Sequence, residues 1–154
     1  TSILMAAACA SGAILGNAPP EQIDALARFG LRLGSAFQIT DDTLDYTAQR
    51  DEFGKAIGKD LEEGKMTLPL IYTLKKCAPD EKDRIRKIIE TRGSNEKAIQ
   101  DILAVIQQYD GISAALNKAK SYIDEGKASL ASFENSEAKT ALLTIADFIM
   151  ERRI

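Results

Sequence analysis

Apolar residues recur at helical spacing along most of the chain. From Glu21 the small or apolar positions Ile23, Leu26, Gly30, Leu33, Phe37 and Leu44 predict one helix from about Glu21 to Tyr46. Before it, residues 1–20 carry no charge, and the run Ile3–Leu15 predicts a helix buried on nearly all sides. That run is too short to span a bilayer, which takes ~20 residues. Asn17-Ala18-Pro19-Pro20 ends it, and Pro20 suits the first turn of the next helix. Periodicity is lost over residues 48–66, where Gly54, Gly58 and Gly64 stand among charged residues. This predicts a loop of a length that signals function or disorder in compact domains.

Helical spacing resumes at Leu68 and stops before Pro79. Asp80–Arg92 predicts a helix closed by Gly93, and Ser94 or Asn95 can cap the next, which carries Ile99, Ile102, Leu103 and Ile106. Asp110-Gly111 interrupts. A long helix then runs from about Ile112 to Phe133, and a last one from about Ser136 to Arg152, with Leu142, Leu143, Ile145, Ala146 and Ile149 on its apolar side. With no alternating strand pattern and no repeat, residues 1–154 read as one all-α helical bundle with a single long polar loop.

Composition narrows the chemistry. Lys and Arg number 20 against 23 Asp and Glu, a net charge of −3, which offers no global reason to bind nucleic acid or an anionic membrane. Histidine is absent, so no Ser-His, Cys-His or His-ligated metal mechanism is built from this chain. Cys9 and Cys77 follow no ligand spacing and read as reduced, packed thiols of a cytoplasmic protein. Any metal here is held by oxygen, which points to Mg²⁺, Ca²⁺ or Mn²⁺.

The candidate chemistry lies at Asp41-Asp42-Thr43-Leu44-Asp45. Asp41 follows Phe37 by four residues and precedes Leu44 by three, which places it on the face the helix otherwise keeps apolar. Asp45 is one turn further on, so the two carboxylates point the same way. They repel each other unless a divalent cation lies between them. The alternative is a solvated acidic face at a helix end. The loop beyond carries Gly54-Lys55, Gly58-Lys59-Asp60-Leu61 and Gly64-Lys65-Met66-Thr67. Glycine allows close approach to phosphate oxygens and the lysine ammonium supplies the charge. Glycine–lysine pairs alone are common in ordinary loops; together with the aspartates they are the parts of a magnesium–diphosphate site.

The run Phe37-Gln38-Ile39-Thr40-Asp41-Asp42-Thr43-Leu44-Asp45-Tyr46 resembles the second aspartate-rich motif of the trans-isoprenyl (polyprenyl) diphosphate synthases. The glycine–lysine pairs through Leu68-Pro69 are similar to that family's following segment in order and spacing, and Ala146-Asp147-Phe148-Ile149 with Glu151-Arg152 to its last helix. The likeness is strongest to the bacterial octaprenyl branch. It implies an all-α isoprenoid-synthase bundle, of which this chain would be the C-terminal part only. The family's first aspartate-rich motif has no counterpart here, and Thr1 matches the threonine of a Lys-Thr pair.

The resemblance implies Mg²⁺-dependent condensation of an allylic diphosphate with isopentenyl diphosphate, Mn²⁺ being a possible substitute, in a homo-oligomer. Asp41 and Asp45 would ligate the metal, with Asp42 orienting it or ligating through water. Lys55 and Lys65 would neutralise diphosphate, Lys59 less so. Gln38 would reach the substrate side, and Thr1 would lie near the same phosphates. Phe37 and the Ala-rich first helix would line an apolar tunnel. With one aspartate motif, the chain by itself is expected not to catalyse transfer. A non-catalytic subunit of a heteromeric prenyl synthase and a helical interaction module are the competing readings.

Overall fold

The computed structural model describes residues 1–47, 58–90 and 96–151. Among them are eight helices and no strand: α1 (Ser2–Leu15), α2 (Pro20–Thr47), α3 (Lys59–Glu62), α4 (Leu68–Lys76), α5 (Pro79–Glu90), α6 (Glu96–Gln108), α7 (Gly111–Ser129) and α8 (Glu137–Glu151). The all-α expectation holds, and no described helix is long and apolar enough to cross a membrane. The expected loop over 48–66 falls partly outside the described residues; within its described part, Lys59–Glu62 form a turn of helix that periodicity did not reveal. The helix expected to reach Phe133 stops at Ser129. There Leu130 enters the core and the backbone tightens through Leu130 N–H to Lys127 O and Phe133 N–H to Leu130 O.

Local chemistry sets the helix ends. After Leu15, Asn17 takes a left-handed φ of 51°, and Ala18 N–H reaches back to Ala13 O while Asn17 N–H reaches Ile14 O. This paired closure ordinarily uses glycine, and asparagine is the side chain that tolerates it best. Pro20 then opens α2, where its missing N–H costs nothing. Glu81 accepts the N–H of Ala78 at the start of α5 (3.2 Å), and Ser136 accepts that of Lys139 at the start of α8 (3.2 Å).

The chain divides into two compact units. The first holds Thr1–Thr40 with the helices from Asn117 on, around a core of Phe29, Leu33 and Ala36 of α2, Ala119 and Ile123 of α7, Leu130, and Ala146 and Ile149 of α8. In it α1 meets α2 backbone to backbone. A Cβ on Gly30 would lie 2.7 Å from the Met5 carbonyl carbon, and one on Gly34 would lie 2.6 Å from Ser2 Cα. The second unit, Asp41–Leu116, is built on Tyr46, Leu61, Leu70, Leu74, Ile85, Ile99, Ile102, Val105 and Ile106.

Three sequence expectations about burial need correction. The first helix is not buried on nearly all sides: of α1 only Ala13 is buried, and Ile3 and Leu15 are 80% and 85% exposed. Its backbone meets the glycines of α2 while Met5 and Cys9 pack on the core of the unit, and Ile3, Leu4, Ile14 and Leu15 turn away. The buried stripe of α2 is also displaced from the one read by hydrophobicity. It runs Ala25, Phe29, Leu33, Ala36, Thr40, Thr43, Tyr46, while Leu26, Phe37 and Leu44 are half-buried. Asp41 is therefore exposed rather than set on the apolar face. Ile145, expected on the apolar side of α8, is likewise exposed.

Gly30→Ala is expected to lower the melting temperature, because the methyl must push α1 off α2; such overpacking costs about 1–3 kcal/mol. Gly12→Ala, with open space around it, should be neutral or stabilising through its gain in helix propensity. Equal melting temperatures for the two variants would remove the backbone contact as a determinant of the fold. The hydroxyl of Thr40 is buried without a hydrogen-bond partner among the described residues. Thr40→Val keeps the shape and deletes the unpaired oxygen, so it should stabilise by about 1 kcal/mol, or ~2–4 °C in Tm. A lower Tm on thermal denaturation would show that the hydroxyl is bonded.

Candidate active site

Three aspartates lie in the last two turns of α2, which carry no basic residue in the final turn. Asp41 is exposed, and Asp42 and Asp45 are half-buried. Residues 48–57, and with them Lys55, lie outside the described residues. The chain is next described at Gly58, whose N–H donates to the Asp45 carbonyl (3.0 Å). Gly58 has φ +83°, and a Cβ there would stand 2.6 Å from Ile99 Cγ2, so glycine is required for both backbone and space. Two residues on, the Asp60 N–H donates to Asp45 Oδ2 (2.9 Å). Leu61 plugs α3 into the core of the second unit.

The lysine follows from how α3 ends. Gly64 takes φ +75°, its N–H reaches Leu61 O (3.0 Å), and the Lys65 N–H reaches Asp60 O (2.8 Å). This closure brings Lys65 back over α3. Its ammonium contacts Asp60 Oδ1 (3.0 Å) and Glu63 Oε2 (2.7 Å). Asp60 thus holds Asp45 through its N–H and Lys65 through its carboxylate and carbonyl. Lys59 makes only a looser contact with Glu63 (3.8 Å). Beyond Lys65, the Thr67 hydroxyl is hydrogen-bonded to the Tyr46 hydroxyl.

The electrostatics follow the geometry. Burial pushes the Asp45 carboxyl above its ordinary range, against the lowering effect of the Asp60 N–H. Hydrogen bonds to Glu63 and Asp60 push Lys65 further above the usual lysine value, and the Lys65 partner lowers Glu63. Burial pushes the Tyr46 phenol up to about 12, so it is neutral at physiological pH.

Among the described residues no three Asp, Glu or Cys side chains are arranged to hold a metal ion by themselves. The donor set still suits a hard divalent cation. It is all oxygen, and Asp45 is half-desolvated with one carboxylate oxygen committed to a backbone N–H. Carboxylates from one helix cover one side of a coordination shell, leaving the rest for a ligand's oxygens.

The other residues singled out in the sequence belong to the first unit. Thr1 Oγ1 donates to Gln38 Oε1 (3.2 Å), both residues being exposed. Phe37 is half-buried against the core of that unit. The sequence reading missed Asp60 as the junction between Asp45 and Lys65. Its place in Gly58-Lys59-Asp60-Leu61 was visible, but its double role depends on the turn at Gly64.

The family model described as "Polyprenyl synthetase" matches residues 1–106. Over 152 residues the chain is 38% identical to a short chain isoprenyl diphosphate synthase of Methanothermobacter thermautotrophicus, which covers 99% of this chain and 46% of that protein. It is 35% identical to an octaprenyl diphosphate synthase of Haemophilus influenzae, with the same two coverages. A polyprenyl synthase from Caulobacter crescentus CB15, solved as a complex with calcium and isoprenyl diphosphate, superposes with a TM-score of 0.89 at 36% identity, covering 98% of this chain and 46% of that one. The chain spans about half the length of these relatives. With the match extending over well more than half of its residues, the chain belongs to the polyprenyl synthetase family.

Proposed function

We propose that this chain supplies one aspartate motif and the lysine arm of a trans-polyprenyl diphosphate synthase, which condenses an allylic diphosphate with isopentenyl diphosphate to give a longer all-trans product. The observation that carries the reading is the linked set Asp45–Asp60–Lys65, in which one residue ties a carboxylate to a cation. The complex of the Caulobacter relative with calcium and isoprenyl diphosphate supports it.

Magnesium, or manganese in its place, fits Asp41 and Asp45, with Asp42 orienting them; when bound it supplies positive charge to the phosphate oxygens. The remaining chemistry belongs to the chain. Ionisation of an allylic diphosphate gathers negative charge on the departing group, and a fixed cation is worth most at that moment. Lys65 supplies it. Its side chain is 57% exposed, and its pairs with Asp60 and Glu63 are of the solvent-screened kind that contribute little. A diphosphate with several charges competes successfully with them. Lys55 has the same role in this reading, while Thr1 and Gln38 contact substrate and Phe37 the prenyl chain. In this reading the protein works in the cytoplasm as a homo-oligomer. The exposed apolar side chains of α1 and Phe148 of α8 support burial against another surface.

Titration of Mg²⁺ by calorimetry should give weak binding alone and at least ~10-fold tighter binding with inorganic pyrophosphate present, because Mg²⁺ sheds water reluctantly for a one-sided carboxylate set. Equal affinities would sink the reading. In the same assay, Lys65→Ala should weaken pyrophosphate binding roughly 10-fold, one screened charge-assisted contact, with Lys59→Ala much milder. Unchanged binding by Lys65→Ala would remove that residue from the site.

A further inference from the structure

We propose that Tyr46 is a positioning residue, whose buried hydrogen bond to Thr67 holds the segment carrying Lys65 against the helix end carrying Asp45. The inference rests on the reading of Asp45 and Lys65 as a diphosphate site and adds a residue to it.

Position is the first support. Tyr46 follows Asp45 directly, and Thr67 lies two residues beyond Lys65. Gly58 and Asp60 donate to the Asp45 carbonyl and carboxylate, so the segment 58–67 is fastened at its start to residue 45 and at its end to residue 46. Its two anchors on α2 are adjacent in the chain, which gives the lysine between them little freedom to drift from the aspartate.

The second support is what Thr67 forgoes. It immediately precedes α4, where a threonine hydroxyl ordinarily accepts an N–H of the first turn, and it makes no such bond. Its hydroxyl is instead joined to Tyr46, and the two residues are only 7% and 5% exposed. Tyr46 also packs in the apolar core with Leu61, Leu70 and Leu74. A phenylalanine would fill that space equally well. Among the described residues the hydroxyl's partner is Thr67, and burying it without a partner is unfavourable.

The test measures pyrophosphate affinity at saturating Mg²⁺, together with Tm, for the 154-residue chain. Tyr46→Phe should weaken pyrophosphate binding by roughly three- to tenfold, the effect of one neutral hydrogen bond. Thr67→Val should match it, Thr67→Ser should retain binding, and the Tyr46→Phe/Thr67→Val pair should lose no more than either single variant. In a Lys65→Ala background Tyr46→Phe should change the affinity no further, an epistasis that a purely structural role does not produce. Should Tyr46→Phe fail to fold, Thr67→Val and Thr67→Ser carry the same comparison. Binding by Tyr46→Phe equal to that of the unaltered chain, whatever its Tm, would overturn the proposal, as would an equal loss in the Lys65→Ala background. Absence of Mg²⁺-dependent pyrophosphate binding by the unaltered chain would instead overturn the diphosphate reading, and this tether with it.

Discussion

Acidic side chains at the C-terminal end of a helix are in an unfavourable place. The carbonyl end carries partial negative charge, and α2 presents Asp41, Asp42 and Asp45 there without a basic residue in its last turn. Asp41 and Asp45 are also one turn apart, an arrangement that destabilises isolated helices by a few tenths of a kcal/mol. Burial adds to the cost at Asp45. The surroundings of this helix end serve to bring positive charge to it: the Asp60 N–H directly, and Lys65 through Asp60. A local cost accepted this openly accords with the proposed function, in which a divalent cation offsets it.

The answer is built from backbone geometry more than from side-chain strength. Gly58 and Gly64 are the described glycines with left-handed φ, and they bracket α3. At the first a Cβ would stand 2.6 Å from Ile99 Cγ2, so only glycine fits, and the second turns Lys65 back over Asp60. Between them Leu61 supplies the apolar anchor. The lysine's own ion pairs are exposed and weak, as the proposed exchange of partners for a phosphate requires.

Legibility followed the strength of the local signal. Long helices were readable from spacing, and their ends from Asn17-Ala18-Pro19-Pro20, Pro79 and Asp110-Gly111. The four residues of α3 are too few to show a period. The stripe of α2 was misread near its end because Thr40 and Thr43, polar by type, occupy buried positions while Phe37 and Leu44 do not. Hydrophobicity could not reveal that α1 would meet the glycines of α2 with its backbone, turn Met5 inward and leave Ile3 and Leu15 outward. The aspartates and lysines of the candidate site stood out by residue type. The Asp60 junction and the Tyr46–Thr67 bond did not, because both depend on a long-range closure that no short window of sequence contains.

The placement of the lysine on a separate arm has a physical rationale. Position i+4 from Asp42 is Tyr46; a lysine there would sit in the last turn of α2, where it would be attracted both by the helix end and by the aspartate. It would neutralise the carboxylates permanently, and a divalent cation would have to displace it. A tyrosine at that position brings no positive charge to the carboxylates and sends its hydroxyl into the core to meet Thr67. The positive charge then arrives two residues before that contact, on Lys65, close enough to reach through Asp60 but not bonded to Asp45 itself. Carboxylates and ammonium are thereby kept as separate partners, the division that the proposed function assigns to a metal and a phosphate.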